Sequence, residues 1–246
     1  MIGASLRTIV GRRGTLLGGT AVVLAAVLVV ISVRIVIHAL RPGRNPSTGG
    51  QDLLDGTFAA VLLLGVVVAI LIGSLAGSYD TAQGTMRYLV MTGARRGQIY
   101  AARTAALLLA VLAMLAPAVV VAAAASLLLP HGDSEAVTAG EVGDLVWTSV
   151  SWSCVFAVIS MGIGSLLRSN GPAIAISLVF FLGIAPLMLL IDTLSPGVGD
   201  LMLLDALDRI TGADEGAPLA LAAVAVVAWV GVFWVAGRLR VQRDEY

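Results

Sequence analysis

The chain has no lysine, and all fifteen of its basic residues are arginine. A P-loop nucleotide site needs a lysine that reaches the β- and γ-phosphates of the nucleotide. Enzymes that form Schiff bases need the amine of a lysine side chain. The sequence therefore excludes a standard ATP site and Schiff-base chemistry from this chain.

Cysteine and histidine are also scarce. The single cysteine, Cys154, cannot form a disulfide within the chain, and His38 and His131 do not make a metal-ligand cluster. Polar residues of one apolar run, such as Ser151 and Ser153, have no accompanying base or orienting acid. We therefore expect no catalytic residues, no metal and no cofactor in this chain, which is not expected to be an enzyme.

Charge is the third scarcity. Only 12% of the residues are charged, whereas soluble domains carry about 25%. The chain is 59% hydrophobic, with a mean hydropathy of +0.99. A helix needs about 20 apolar residues to cross a bilayer, and it satisfies its own backbone hydrogen bonds there. The composition predicts a single-domain, all-α membrane protein.

Six apolar runs are long enough to be transmembrane helices. They lie at about residues 16–37, 57–77, 104–129, 145–167, 173–191 and 218–236. Residues 1–14 precede them and predict an interfacial amphipathic helix whose arginines face lipid headgroups. A cleaved export signal is the alternative, but the following run is long for one and shows no convincing cleavage site.

The last inter-span segment, residues 192–217, predicts a helical insertion on the outer side. Leu201, Leu204, Leu207 and Ile210 recur at steps of three, which indicates a short amphipathic helix. Gly212 is expected to end that helix. The helix is too short and too charged to span, so we expect it at the outer surface or dipping partly into the membrane.

Small residues recur every four positions along the second span: Gly65, Ala69, Gly73 and Gly77. Such a stripe lets two helices approach closely. The stripe predicts a helix-packing face, either inside one bundle or along a seam between two copies of the chain.

The arginine distribution predicts the orientation of the spans. Cytoplasmic loops of membrane proteins are enriched in basic residues. With six spans and both termini in the cytoplasm, eleven of the fifteen arginines fall on the cytoplasmic side. The four on the outer side are Arg34, Arg41, Arg44 and Arg209. We therefore expect both termini in the cytoplasm.

Residues 78–103 form a polar, arginine-rich segment between the second and third spans, and the orientation places it in the cytoplasm. Within it, Thr85–Met91 can form a short helix between Gly84 and Gly93, which is suited to stop it. Apolar groups such as Met86, Tyr88 and Leu89 need cover, and methionine and aromatic side chains suit protein contacts. An ordinary inter-span loop remains the alternative interpretation of these residues.

The stretch GTMRYLVMTGARRGQIYAAR resembles the coupling segment of the permease subunits of type-2 ABC exporters. Asp80, Gly84, Thr85, Leu89, Thr92 and Arg96 match the family pattern. Gln83 stands where a glutamate is usual, and Gly93-Ala94 stands where the turn usually has a proline. The wider plan is similar over essentially the whole chain: an interfacial N-terminal helix, six spans and an outer helical insertion before the last span.

This resemblance implies an ATP-driven efflux system, in which the chain is the permease and exports an amphipathic drug, lipid or peptide-like cargo. It implies two copies of a separate ABC ATPase, which carry the ATP and Mg, and a second permease, as a homodimer or with a homologous chain. The chain would be a multi-pass protein of a bacterial cell membrane, contacting lipids and no nucleic acid. The residues expected to dock the ATPase are Thr85, Met86, Arg87, Tyr88, Leu89, Met91, Arg95 and Arg96.

Two other functions share the hydropathy pattern. A membrane scaffold or immunity-type binding protein would transport nothing, and would be distinguished by copurification without an ATPase. An ion-coupled carrier usually has ionisable groups deep within its spans. No acid or histidine lies near the middle of a predicted span, which argues against the carrier.

Overall fold

A computed structural model describes residues 13–41, 48–82, 96–130, 136–184, 187, 201–212 and 218–243. The described chain is all-helical. Its helices are α1 (Arg13–Leu40), α2 (Gln51–Ala82), α3 (Arg96–Leu128), α4 (Ala139–Leu167), α5 (Asn170–Val179), α6 (Leu203–Thr211) and α7 (Leu219–Arg243). A π-helical turn, Phe180–Ile184, continues α5.

Five of the described helices, α1, α2, α3, α4 and α7, are long and apolar enough to cross a membrane. They agree with the all-helical fold class and indicate an integral, multi-pass membrane protein. The fifth predicted span, 173–191, begins as α5 and its π-helical turn, and its remainder lies largely outside the described residues. A six-span topology therefore stays a prediction, as does the interfacial helix at 1–14, nearly all of which lies outside the described residues.

The long helices run up and down and define two ends of the bundle. We call the end where α2 finishes and α3 starts the basic end, since Arg96, Arg103 and Arg240 lie there. The opposite, acidic end has Asp55 near the start of α2 and Asp144 near the start of α4. The arginine asymmetry read from the sequence therefore corresponds to two separate ends of the folded chain.

Helices α2 and α4 form the centre of the bundle, and their contact is the most extensive between any two helices. Helices α1 and α3 pack against α2 in one apolar cluster, which includes Val23, Val61 and Leu107. A second cluster joins α2 and α4 to α6 and α7 through side chains such as Ile70 and Phe156. Because both clusters share the central pair, displacement of a peripheral helix acts directly on α2 or α4.

Short hydrogen bonds join the helices at the acidic end. The backbone N–H groups of Thr48 and Gly49 donate to the Pro130 carbonyl at 3.2 and 2.9 Å, and that of Gly50 donates to Ser126 at 3.1 Å. Gly50 has φ +77°, a conformation that a side chain disfavours. These bonds fix the start of α2 against the end of α3.

Large apolar side chains cover much of the outside of the bundle. Leu28 on α1, Val120 on α3 and Val227 on α7 are between 48% and 70% exposed. Soluble monomers rarely expose apolar surface on such a scale. A bilayer covers these faces without cost, which agrees with the membrane assignment.

Candidate functional site

Most of the predicted docking residues lie outside the described part of the chain. Residues 83–95 contain all of them except Arg96, which is the first residue of α3. The helices are longer than the predicted spans, since α2 reaches Ala82 and α3 starts eight residues before Thr104. The described site is therefore the basic end around the first three turns of α3, where the segment 83–95 joins the bundle.

Two arginines at the start of α3 contact carbonyl oxygens of neighbouring helices. Arg103 Nη1 donates to the Ala76 carbonyl on α2 at 3.2 Å, in a partly buried position. Arg96 Nη1 lies 3.5 Å from the Gln242 carbonyl on α7, at the exposed edge. Each guanidinium thus joins α3 to a carbonyl on another helix, and the Gln242 carbonyl lies in the last turn of α7, where cations commonly bind.

Thr104 lies where α3, α4 and α7 meet. Its hydroxyl oxygen accepts a hydrogen bond from the indole N–H of Trp234 at 3.0 Å. The same hydroxyl lies 3.1 Å from the Tyr100 carbonyl, to which it can donate, and 3.7 Å from the sulfur of Met161 on α4. One hydroxyl therefore connects the base of α3 to two other helices.

Glycines let the three helices approach closely at this level. A Cβ added to Gly237 would lie 2.5 Å from the Tyr100 hydroxyl oxygen and 3.0 Å from the Cα of Gly162. A Cβ added to Gly162 would collide with the Phe233 carbonyl oxygen. The Tyr100 and Trp234 rings lie 5.8 Å apart between their centroids, and the Tyr100 side chain is buried.

The Arg238 guanidinium covers the outer face of this contact. Its central carbon lies 5.2 Å from the centroid of the Trp234 ring, a cation–π arrangement. Arg238 also passes close to Gly97, where an added Cβ would lie 3.3 Å from its Nε atom. The Trp234 ring is therefore held between the base of α3 and a cation of its own helix.

The small-residue stripe of α2 lies against neighbouring helices of the same chain. A Cβ on Gly73 would collide with the Ala157 carbonyl oxygen of α4, and one on Gly77 would collide with the Met161 carbonyl oxygen. Ala69 is fully buried, and a Cβ on Gly65 would lie 2.8 Å from Leu115 of α3. The sequence allowed two positions for this stripe, inside one bundle or between two copies of the chain. In the structure these four residues pack within one bundle.

Polar side chains join α2 to α5 near the basic end. The Ser78 hydroxyl lies 2.7 Å from Asn170 Oδ1, and the Ser74 and Ser177 hydroxyls lie 3.2 Å apart. The Ser165 hydroxyl of α4 lies 3.3 Å from the Gly77 carbonyl. Hydrogen bonds of this kind are typical between membrane helices. They tie α2, α4 and α5 together near the basic end.

The short helix α6 packs into the acidic half of the bundle and does not simply lie on its surface. The indole N–H of Trp147 on α4 donates to the Ile210 carbonyl, and that of Trp229 on α7 donates to the Leu201 carbonyl, both at 3.1 Å. Trp229 lies ten residues into α7, which is about 15 Å along the helix axis at 1.5 Å per residue. The start of α6 is therefore held well below the acidic-end terminus of α7.

The structure confirms most of the predicted apolar face of α6: Leu204 and Leu207 are buried, and Ile210 packs against the same cluster. Leu203 joins this face, whereas Leu201 precedes the helix and is 48% exposed. Steps of three drift around a helix that has 3.6 residues per turn, so four residues at that step do not share one face. Gly212, with φ +83°, ends α6 at the predicted position.

An open cavity of about 330 Å³ lies at the acidic end, between the starts of α2 and α4 and the end of α6. Asp55, Glu141 and Asp144 lie on its wall, and Phe58 and Leu145 contribute apolar surface. Glu141 also completes a capping box with Thr138 at the start of α4. No group of three metal-ligating side chains is present among the described residues.

The contacts at the basic end join α3 to three neighbouring helices. Within the described residues they consist of hydrogen bonds from arginine and tryptophan, close glycine contacts and the buried ring of Tyr100. Thr104, Trp234 and Gly237 were not predicted as site residues. The sequence offers one indication of them, which is that they lie within about two turns of arginine-rich helix ends.

Comparison with known proteins adds no identity to this description. No protein-family model matches the chain, and no curated protein matches its sequence.

Proposed function

We propose that this chain is the membrane-spanning permease subunit of an ATP-driven exporter of the type-2 ABC class. A separate ABC ATPase, in two copies, binds the segment 83–95 on the cytoplasmic side and supplies the ATP hydrolysis. Two permease chains, identical or homologous, form the path for an amphipathic drug, lipid or peptide-like cargo. The residue pattern of that segment and the number of long apolar helices support this proposal.

The contacts of Arg103 and Thr104 carry the argument. The segment 83–95 leads directly into α3, and within its first three turns α3 is joined to α2 by Arg103, to α4 through Met161 and to α7 through Trp234. A partner that displaces this segment therefore acts on three helices at once.

Replacement of Arg87 and Tyr88 by alanine tests the docking assignment. We expect the double variant to insert into the membrane normally but to lose most of the copurifying ATPase activity, because the partner loses an aromatic and a cationic contact. Interface anchors of these types commonly contribute about 2 kcal/mol or more. The measurement is ATPase activity retained with the tagged chain in mild detergent.

The matched control replaces Arg209 and Trp147, an arginine and an aromatic residue near the opposite end. That pair should leave ATPase retention unchanged. Full ATPase retention by the Arg87 and Tyr88 variant would remove the docking assignment. Purification of the wild-type chain without any ATPase would favour the scaffold over the transporter.

A further inference from the structure

The contact between α3 and α7 follows one face of each helix. Arg96, Tyr100 and Thr104 are spaced by four residues, so they lie on one side of α3 in successive turns. Their partners on α7 come in the reverse order, Gln242, Gly237 and Trp234. The two helices are therefore matched antiparallel over about two and a half turns, beginning at the first residue after the segment 83–95.

Each level of this contact limits a different motion. The Trp234 N–H bond to Thr104, at 3.0 Å, fixes the separation of the two helices at the deepest level. The Tyr100 hydroxyl lies against Gly237, where an added Cβ would be 2.5 Å from its oxygen, so a sideways shift of α7 at this level meets the Tyr100 side chain. Arg96 holds the outermost turn at the Gln242 carbonyl.

We propose that α7 is a second driven helix, which moves with α3 when the segment 83–95 is displaced, and that Trp234 and Thr104 are the positioning residues that connect the two. This inference rests on the proposed function, because the displacement comes from the docked ATPase. It adds the C-terminal helix, which is distant in sequence from the coupling segment, to the parts that respond to nucleotide.

Three exposed positions at the basic end allow this motion to be measured. Gly14 on α1, Gln98 on α3 and Leu239 on α7 are exposed, and a Cβ on Gly14 meets nothing within 4 Å. All variants carry Cys154→Ala, so that only the introduced cysteines are labelled. Spin labels at Gly14→Cys and Gln98→Cys give the distance from α1 to α3. Labels at Gly14→Cys and Leu239→Cys give the distance from α1 to α7. The distances are compared in the purified complex with its ATPase, without nucleotide and after trapping with Mg-ATP and vanadate.

In the otherwise unmodified complex we expect trapping to shift both distances together. Trp234→Phe keeps an aromatic ring but removes the N–H donor, and Thr104→Val removes the acceptor from the other side of the same bond. Both variants should keep the shift at Gln98 and lose most of the shift at Leu239. ATP hydrolysis should continue in both, since the docking segment is unchanged.

Trp229→Phe is the matched control, because it removes an indole N–H donor of the same helix whose bond is also short, 3.1 Å to Leu201. This variant should keep both shifts. The inference would be overturned if Trp234→Phe and Thr104→Val kept the full distance change at Leu239. It would also be overturned if the control lost that distance change to the same extent. Either result would leave the proposed function intact. A complex without an ATPase, or with neither distance responsive to nucleotide, would overturn the proposed function itself.

Discussion

Gly77 shows how a single missing side chain sets the distance between two helices. Any Cβ at this position would meet the Met161 carbonyl oxygen and lie 2.8 Å from the Ser165 backbone nitrogen. Gly164 repeats the arrangement from the other helix, since its Cβ would collide with the Ser74 carbonyl oxygen. At these positions the backbones of α2 and α4 are in contact, so a methyl group would force the two helices apart.

We predict that Gly77→Ala destabilises the bundle by about 1–3 kcal/mol, as overpacking of a tight interior does. Gly231→Ala on α7 is the control, because a Cβ there meets nothing within 4 Å. A helical alanine in open space is favoured over glycine by roughly 0.5–1 kcal/mol, so the control should be neutral or stabilising. Thermal unfolding in detergent measures both, and equal midpoints for the two variants would contradict this packing.

The glycine spacing of α2 could be read from the sequence, but the helix it faces could not. A small-residue stripe fits a neighbour in the same chain as well as one in a second copy. On α4 the glycines meet the backbone carbonyl oxygens of Ala157 and Met161. Every residue has such an oxygen, so the sequence of α4 does not mark it as the partner helix. Likewise, Trp234 can be placed near a helix end from the sequence, but its bond to Thr104 depends on which helices are adjacent.

At the scale of elements, α6 is a short helix that depends on its neighbours. It has nine residues, and isolated helices shorter than about 12 residues are marginal in water. Its buried leucines pack in the cluster shared with α4 and α7. Two indole N–H groups donate to carbonyls near it, one just before its first residue and one in its last turn. The sequence predicted the helix and its end at Gly212, whereas its depth depends on tryptophans of two distant helices.

Removing either indole donor should loosen α6. Trp147→Phe and Trp229→Phe each lose a hydrogen bond worth about 0.5–1.5 kcal/mol. We expect amide hydrogen exchange across Leu203–Thr211 to accelerate about fivefold in each single variant, since 1 kcal/mol corresponds to roughly that factor.

Trp234→Phe at the basic end is the control for this experiment, because it removes the same donor far from α6. Exchange across Leu203–Thr211 should stay at the wild-type rate in that variant. If exchange there proved insensitive to Trp147 and Trp229, the indole bonds would not be what holds α6 in place.

At the scale of the whole molecule, the separation of charge gives a test of orientation. Gln98 is exposed at the basic end, and Gly143 is exposed at the acidic end with space for a side chain. The arginine bias predicts that the basic end lies in the cytoplasm. The structure shows which residues share an end, and labelling determines the side of the membrane on which that end lies.

We expect a membrane-impermeant maleimide to label Gly143→Cys in intact cells, in a Cys154→Ala background. Gln98→Cys should be labelled only after the membrane is permeabilised. The background variant without either cysteine controls for non-specific labelling. The opposite pattern would place the segment 83–95 outside the cell, away from any ATP-hydrolysing partner.

The link between α4 and α5 consists of only Arg168 and Ser169, with Arg168 in the left-handed conformation at φ +56°. Just beyond it, Asn170 and Ser177 contact Ser78 and Ser74 of α2. Helices α2, α4 and α5 are therefore joined at the basic end by this short link and by these hydrogen bonds. Any separation of α2 from α4 would therefore be smallest at the basic end and largest at the acidic end, beside the carboxylates of Asp55 and Asp144 and the ring of Phe58.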